Sequence, residues 1–296
     1  QVLIGGCGES HTGSGGGYVK ARKEVDYDAH YHDFGEKSPF QHTYAHLHFT
    51  PDERFQDKFG FPELWNVTDA VRLLLRPPPD RRNSTMASAL FVHNDCNRGR
   101  RGNLISNLVN NEKEHHFSIG RYGKCFHNAE RPKSIAEHDG IPCKDMTKDM
   151  LFHNDCEATR DGTKTMLSSL HKFTFALENT FSEDYFTEKR WQVLFAGSVP
   201  IVFDNHNSRM FLPDDDAAVL VGTAEEPAQL ARRLRDLDTD YEEYSKLYLW
   251  KERGLRPEFV RKLFLSTDYL MCRICEHVAH HHGPGKDHAK NWTWHP

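Results

Sequence analysis

Residues 173–203 run FTFALENTFSEDYFTEKRWQVLFAGSVPIVF. The apolar run FTFAL (173–177) stops abruptly at the acidic loop ENTFSED. In YFTEKRWQVLFA, which follows, Trp191, Leu194 and Phe195 recur at the spacing of one helical face. Gly197 ends that helix and VPIVF (199–203) begins a second strand. Strand, loop, helix, strand is the βαβ unit of a parallel sheet, so the class is α/β. Ligands of open α/β sheets bind beyond the carboxyl ends of the strands. The polar cluster Glu178, Asn179, Tyr185, Glu188 and Lys189 therefore falls where a ligand belongs. The start of a helix offers free N–H groups and a partial positive charge, which suits a phosphate. Lys189 adds a full charge, and Glu178 or Glu188 can accept from sugar hydroxyls. The pattern is that of a nucleotide-sugar site. The plainer alternative is a solvated loop with a surface lysine.

A second βαβ unit precedes it. ASALFVH (87–93) has the composition of a short strand, NDCNRGRRG of a polar turn, NLISNLV (103–109) of a helix and HHFSIGRYG (115–123) of the next strand. After residue 203, AAVLVG (217–222) is another strand candidate. From Pro227 to about Lys251, Leu230, Leu234, Leu237, Tyr241, Tyr244 and Leu247 follow helical spacing. HNDC occurs at 93–96 and again at 153–156, without wider similarity, so it is no repeat. Residues 1–85 are rich in Gly, His and Pro and weakly periodic, although QVLIGG suits a first strand. TGSGGG (12–17) lacks the Gly-Lys-Ser/Thr of a P-loop and is a loop, and RPPPDRRNST (76–85) has the composition of a linker.

Composition narrows the function classes. A formal net charge of −5 argues against nucleic acid as the partner, because a nucleic-acid footprint is basic. No run of about 18 apolar residues is present to span a membrane. Seven cysteines and three glycosylation sequons, at Asn66, Asn83 and Asn291, point to a secretory compartment with disulfides.

The stretch FALENTFSEDYFTEKRWQVLFAGSVPIVF resembles the donor-site signature of the α1,3-fucosyltransferase family. ALFVHNDC with Arg101 and Leu108 is similar to that family's strand, S-N-C turn and R-x7-L helix. IGRYGKCFHN (119–128) resembles its D-S-Y-G-x-C-x-N element, and FLPDDDAAVLV, LARRLRDLDTDYEEYSKLYLWKERGLRP and MCRIC continue the likeness. Coverage runs from about residue 87 to 276 and is thin before that. There, HDFGEKSPF (32–40) resembles the acceptor-side E-S-P motif with one extra residue, and HLHFT (46–50) the F-N-x-T after it. The YGKCFHN element leans toward the branch with the protein O-fucosylating members.

The resemblance implies a GT-B fold, two Rossmann-type domains facing a cleft. Residues 1–85 would form a short or truncated acceptor-side domain, 86–262 the GDP-fucose-binding domain and 263–296 a Cys/His-rich tail. The implied reaction is an inverting transfer of L-fucose from GDP-fucose to a glycoprotein, α1,3 to GlcNAc. The alternatives are O-fucosylation of Ser/Thr and a non-catalytic GDP-sugar- or glycan-binding relative. Charge builds on the departing diphosphate, and the attacking hydroxyl needs a base. Lys189 and Arg101 would meet the diphosphate, with Arg98 and Arg100 as near neighbours of Arg101. Glu188 would accept from ribose or fucose hydroxyls, and Asn179, Tyr185 and Tyr122 would line the donor pocket. Tyr185 is equally placed to pack at the helix start, and Glu178 to hold loop N–H groups. Glu36 is the candidate base, with Asp33 as its competitor.

No metal or cofactor is required by this chemistry, and a divalent ion would at most stimulate it. PDDDAA (213–218) is a loop before a strand rather than an acid cluster for a metal. The family's C-terminal pair makes disulfides, which makes Cys272 and Cys275 disulfide candidates. Their spacing to the histidines of CRICEHVAHHH would also suit zinc in an interaction module. The implied place is the Golgi or ER lumen, as the lumenal part of a type II membrane protein anchored upstream of Gln1.

Overall fold

A computed structural model describes residues 4–7, 27–30, 67–82, 86–93, 99–129, 164–165, 167–179, 185–205, 207–267 and 270–282. Five strands form one parallel sheet: β3 (Ala89–Phe91), β4 (Ile119–Arg121), β5 (Phe173–Phe175), β6 (Val199–Phe203) and β7 (Val219–Val221), in the order β4-β3-β5-β6-β7. Two further strands, β1 (Ile4–Cys7) and β2 (Tyr27–His30), pair with each other in parallel as a separate sheet.

Strand alternation sends side chains to two faces, and each face has its own helices. Ala89, Phe91, Phe173, Phe175, Val199, Ile201, Phe203, Val219 and Val221 form one core with Leu104, Ile105 and Leu108 of α2 (Gly99–Asn110). Leu230 and Leu234 of α5 (Pro227–Thr239) and Tyr244 of α6 (Tyr241–Lys246) complete it. Val202 and Leu220 face the other way, into a core made by α1 (Val67–Leu74), α4 (Glu188–Phe195) and α8 (Pro257–Thr267). At its centre Trp191 stacks on Phe259, ring centroids 5.2 Å apart. α3 (Glu112–His115) lies between α2 and β4, α7 (Trp250–Arg253) precedes α8, and α9 (Leu270–His282) follows it. Among the described residues no helix is long and apolar enough to cross a membrane.

The predicted strands and helices are present, with instructive differences. HHFSIGRYG is not one strand: its first residue closes α3, His116 turns left-handed at φ 50°, and pairing begins only at Ile119. The long helix expected over 227–251 breaks at Asp240, whose carboxylate caps α6 by accepting from the N–H groups of Glu242 and Glu243. Gly197 does end α4, at φ +70°, a conformation that favours glycine.

Ala70, Leu73 and Leu74 of α1 are buried against α4 and α8, and Phe259 and Leu263 share that core across residue 262. The Pro-rich segment after α1 is pinned by Arg81. Its buried guanidinium donates to the carbonyls of Ser169 and Gly197 and to the hydroxyls of Tyr244 and Tyr248.

Candidate active site

Connectivity locates the site. From β3 the chain crosses to β4 on one side of the sheet, then returns to place β5 on β3's other side and runs on through β6 and β7. The order reverses between β3 and β5, and a crevice at such a switch point is where doubly wound sheets take ligands.

The end of β5 is tied to the start of α4 by one buried carboxylate. Glu178 accepts from the backbone N–H of Thr187 at 2.8 Å and from its hydroxyl at 2.8 and 2.9 Å. It thus holds loop donors, one of the two roles expected of it. The Lys189 ammonium donates to Thr187 Oγ1 at 2.7 Å, Glu188 Oε1 at 3.1 Å and Glu178 Oε2 at 3.4 Å. Lys189 is 14% exposed and Glu188 27%, so the pair borders the crevice rather than open solvent. Burial alone would lower the Lys189 ammonium, but Glu178 and Glu188 outweigh it and raise it to about 12. Burial likewise opposes ionisation of Glu188, yet Lys189 and Lys164 bring it down to about 2. Both are charged at neutral pH.

The structure separates Arg101 from its neighbour. Arg100 turns away, donating to the Gly222 carbonyl with its guanidinium 4.8 Å from the centre of the Phe203 ring. Arg101 is buried and donates to the Leu177 carbonyl at 3.3 Å, at the end of β5. Asn179 is half-buried, and its Oδ1 is closed off from solvent without a hydrogen bond to any described residue. Arg101, Asn179, Glu188 and Lys189 are therefore brought to the end of β5, at the switch point.

Tyr185 and Tyr122, both expected to line the pocket, are buried among core residues. Tyr185 is 2% exposed among Phe186, Trp191 and Phe211. Tyr122 packs with Leu90, Val92 and Leu167 and meets His171 edge-on at 5.7 Å. Burial raises its phenol. Glu36, its competitor Asp33, and the sequons at Asn66, Asn83 and Asn291 lie outside the described residues.

Three groups at this crevice are not conspicuous in the sequence. Arg190, fully buried, lays its guanidinium 4.1 Å from the centre of the Phe186 ring and donates to the Ser208 carbonyl at 2.7 Å. Burial pulls it down to about 9, so it stays charged at neutral pH. Lys164 lies close enough to act on Glu188. His93 lies just past β3, where burial first, then Arg101, Lys164 and Lys189, hold its imidazole well below the usual range. The only hint in the sequence was its position at a strand end. Arg101, Lys164 and Lys189 thus gather positive charge beyond the end of β3.

Elsewhere the acidic loop behaves as a loop before β7. Asp214 and Asp216 pair with Arg253 at 2.7 Å, and Asp214 and Asp215 with Arg256 at 3.1 and 2.7 Å. Among the described residues no group of three or more His, Cys, Asp or Glu is placed to hold a metal. The disulfide expectation at Cys272 and Cys275 meets a different picture: both are free, exposed thiols one turn apart on α9, a face directed at solvent. Cys125, fully buried, is disulfide-bonded.

The described residues thus form a parallel α/β unit with charged side chains gathered at its switch point. The chain belongs to glycosyltransferase family 10, the fucosyltransferases, whose C-terminal family profile matches residues 81–292. It is similar to the GDP-fucose protein O-fucosyltransferase 3 of Danio rerio, 29% identical over 188 residues that cover 63% of this chain and 36% of that protein. It resembles the Homo sapiens protein of the same name at 26% over 170 residues, covering 57% and 31%. It is also similar to an alpha-(1,4)-fucosyltransferase of Arabidopsis thaliana, 30% identical over 172 residues covering 55% and 38%. The match thus spans about a third of the length of these relatives.

Proposed function

We propose that this protein transfers L-fucose from GDP-fucose to a glycoprotein, with inversion, and that the acceptor is a Ser or Thr hydroxyl. The donor reading is carried by one observation: Lys189, locked to Thr187, Glu178 and Glu188 at the start of α4, stands with Arg101 at the switch point. The acceptor hydroxyl attacks the anomeric carbon of fucose, a base takes its proton, and the bond to the GDP oxygen breaks. Charge then grows on the diphosphate, where fixed cations stabilise the transition state more than the ground state. Glu188 would accept from ribose or fucose hydroxyls, and Glu36 would be the base.

The acceptor class follows the relatives named protein O-fucosyltransferase. Transfer to a sugar, α1,3 to GlcNAc, is the second reading, favoured by the likeness to a plant alpha-(1,4)-fucosyltransferase. The proposed architecture is GT-B, with β1 and β2 in the acceptor-side domain. The proposed location is the Golgi or ER lumen, held by an upstream membrane anchor, with a metal ion not required.

The test is GDP release from GDP-fucose by wild type, Lys189→Ala and Glu36→Gln, offered folded protein domains or N-glycans. Acceptor-dependent turnover, reduced at least about a hundredfold in both variants, is the expected outcome. Turnover only on glycans would replace the first acceptor reading by the second. Lys189-dependent binding of GDP-fucose without turnover on any acceptor would mark a binding relative.

A further inference from the structure

We propose that His93 is a further donor-binding residue, whose imidazole hydrogen-bonds a diphosphate oxygen of the nucleotide sugar in the crevice between β3 and β5. The inference rests on the donor reading above and names a contact which that reading does not include.

Four observations carry it. First, position: β3 and β5 are the adjacent strands at which the sheet order reverses, and His93 stands two residues past the end of β3 as Asn179 stands past the end of β5. Second, an unmet polar atom: His93 Nε2 is closed off from solvent and has no hydrogen-bond partner among the described residues. Buried polar groups are paired in the great majority of cases, and the exceptions call for a specific reason. Asn179 Oδ1 is in the same condition on the other side of the crevice. Two orphaned polar atoms flanking a switch point fit a ligand that supplies their partners.

Third, the root of the side chain is fixed. The His93 carbonyl accepts from the N–H of Cys125 at 3.0 Å, and Gly123 lies so close that a Cβ there would stand 2.4 Å from the His93 oxygen. The ring lies 5.0 Å from that of Phe91. A side chain held this way is already oriented when the ligand arrives, so little is lost in ordering it. Fourth, the surrounding charge selects the partner. Arg101 from α2, Lys164 from the segment before β5 and Lys189 from α4 all act on the imidazole, and with its burial they keep it neutral. A neutral imidazole carries one N–H to donate. Among three cations the oxygen it meets is that of an anion, which makes it a diphosphate oxygen rather than a sugar hydroxyl.

The experiment is calorimetric titration of the full chain with GDP-fucose and, separately, with guanosine, which lacks the phosphates. His93→Leu keeps the volume and removes the donor, His93→Asn keeps an N–H, and Lys189→Ala is the reference. GDP-fucose affinity should fall about tenfold in His93→Leu, the worth of one hydrogen bond to a charged oxygen, and be largely retained in His93→Asn. Guanosine affinity should be the same in all three His93 forms. Unchanged GDP-fucose affinity in His93→Leu, or equal losses for GDP-fucose and guanosine, would overturn the assignment. Binding that depends on Lys189 but ignores His93 sinks this contact alone. A wild type that binds no GDP-fucose sinks the donor site itself.

Discussion

Replacing Glu178 by alanine tests whether the donor site is held together by a single carboxylate. Glu178 is 7% exposed and carries three loads: the Thr187 N–H, the Thr187 hydroxyl and the Lys189 ammonium. In Glu178→Ala the Thr187 N–H loses its acceptor in a buried place, which costs about 1–3 kcal/mol. The ion pair at 3.4 Å is lost as well. Its Coulomb term is about 5 kcal/mol at an effective dielectric constant near 20, most of it already offset by the desolvation of both ions. Lys189 is not stranded, because Glu188 at 3.1 Å and Thr187 at 2.7 Å remain. The sum is a loss of about 3 kcal/mol, or a melting temperature lower by about 6–12 °C for a unit of this size. Glu178→Gln keeps an acceptor for the N–H and loses only the charge, so about 1–2 kcal/mol is expected. Urea unfolding followed by tryptophan fluorescence reads both, with Trp191 in the same helix as reporter. Arg72→Ala is the control, since its pair with Asp69 has the arginine 67% exposed and is worth under about 0.5 kcal/mol. A Glu178→Ala protein no less stable than Arg72→Ala would refute the view that this carboxylate organises the site.

The charges beside it set a pH window. The carboxyl of Glu188 lies at about 2 against an ordinary 4.5, so its stabilisation is present above 4.5 and lost as pH falls toward 2. Lys189, at about 12 against 10.5, contributes below 10.5 and loses its contribution as pH rises through 12. The stability difference between wild type and Glu188→Gln, about 1–2 kcal/mol, should stay flat from about pH 5 to 9 and shrink below pH 4.5 in urea melts. Arg81→Ala removes a buried guanidinium with four acceptor partners and should cost about 3 kcal/mol. Limited proteolysis should then cut first at residues 76–82, and uncut protein would show that Arg81 does not pin the segment. Gly123→Ala forces a methyl group into the His93 backbone, so a loss of about 1–3 kcal/mol is expected, with weaker GDP-fucose binding alongside. Wild-type-like melting and binding would show that the loop yields freely.

The five-stranded sheet was legible because its strands are short, continuous apolar runs between turn residues, as strands buried on both faces must be. Where the sequence misled, local chemistry outweighed periodicity. At Asp240 a capping carboxylate competes with continuation of the helix, and 227–251 becomes three helices rather than one. HHFSIGRYG looks like a strand because it alternates, yet its first residues close a helix and turn left-handed at His116. The role of α1 was illegible for a different reason. Its eight residues carry a clear apolar face, Ala70, Leu73 and Leu74, but nothing in them names the partner, and only packing on α4 and α8 shows it.

The site divides along the same line. Glu178, Glu188 and Lys189 were readable because a strand end and a helix start lie eleven residues apart in one segment. Tyr122 and Tyr185 are both buried, because an aromatic near a strand end is as well suited to the core as to a pocket. His93 could not be singled out by pattern, because what distinguishes it is convergence. Lys164 and Lys189 are remote from it in sequence, and only the return of the chain to the other side of β3 brings them to His93 and Arg101. That crossing brings the two βαβ units to one switch point, and neither unit alone holds all the cations of the proposed donor site. Arg101 comes from the first unit and Lys189 from the second, so a change that shifts β3 against β5 should weaken GDP-fucose binding even with every polar residue intact. Phe175→Ala is such a change: it removes the ring that meets Phe91 edge-on at 6.2 Å across the β3–β5 pair. It should cost about 3–5 kcal/mol of stability and lower GDP-fucose affinity at temperatures where the protein is still folded. Full affinity in the folded variant would show that the two halves of the crevice are held by their polar contacts alone.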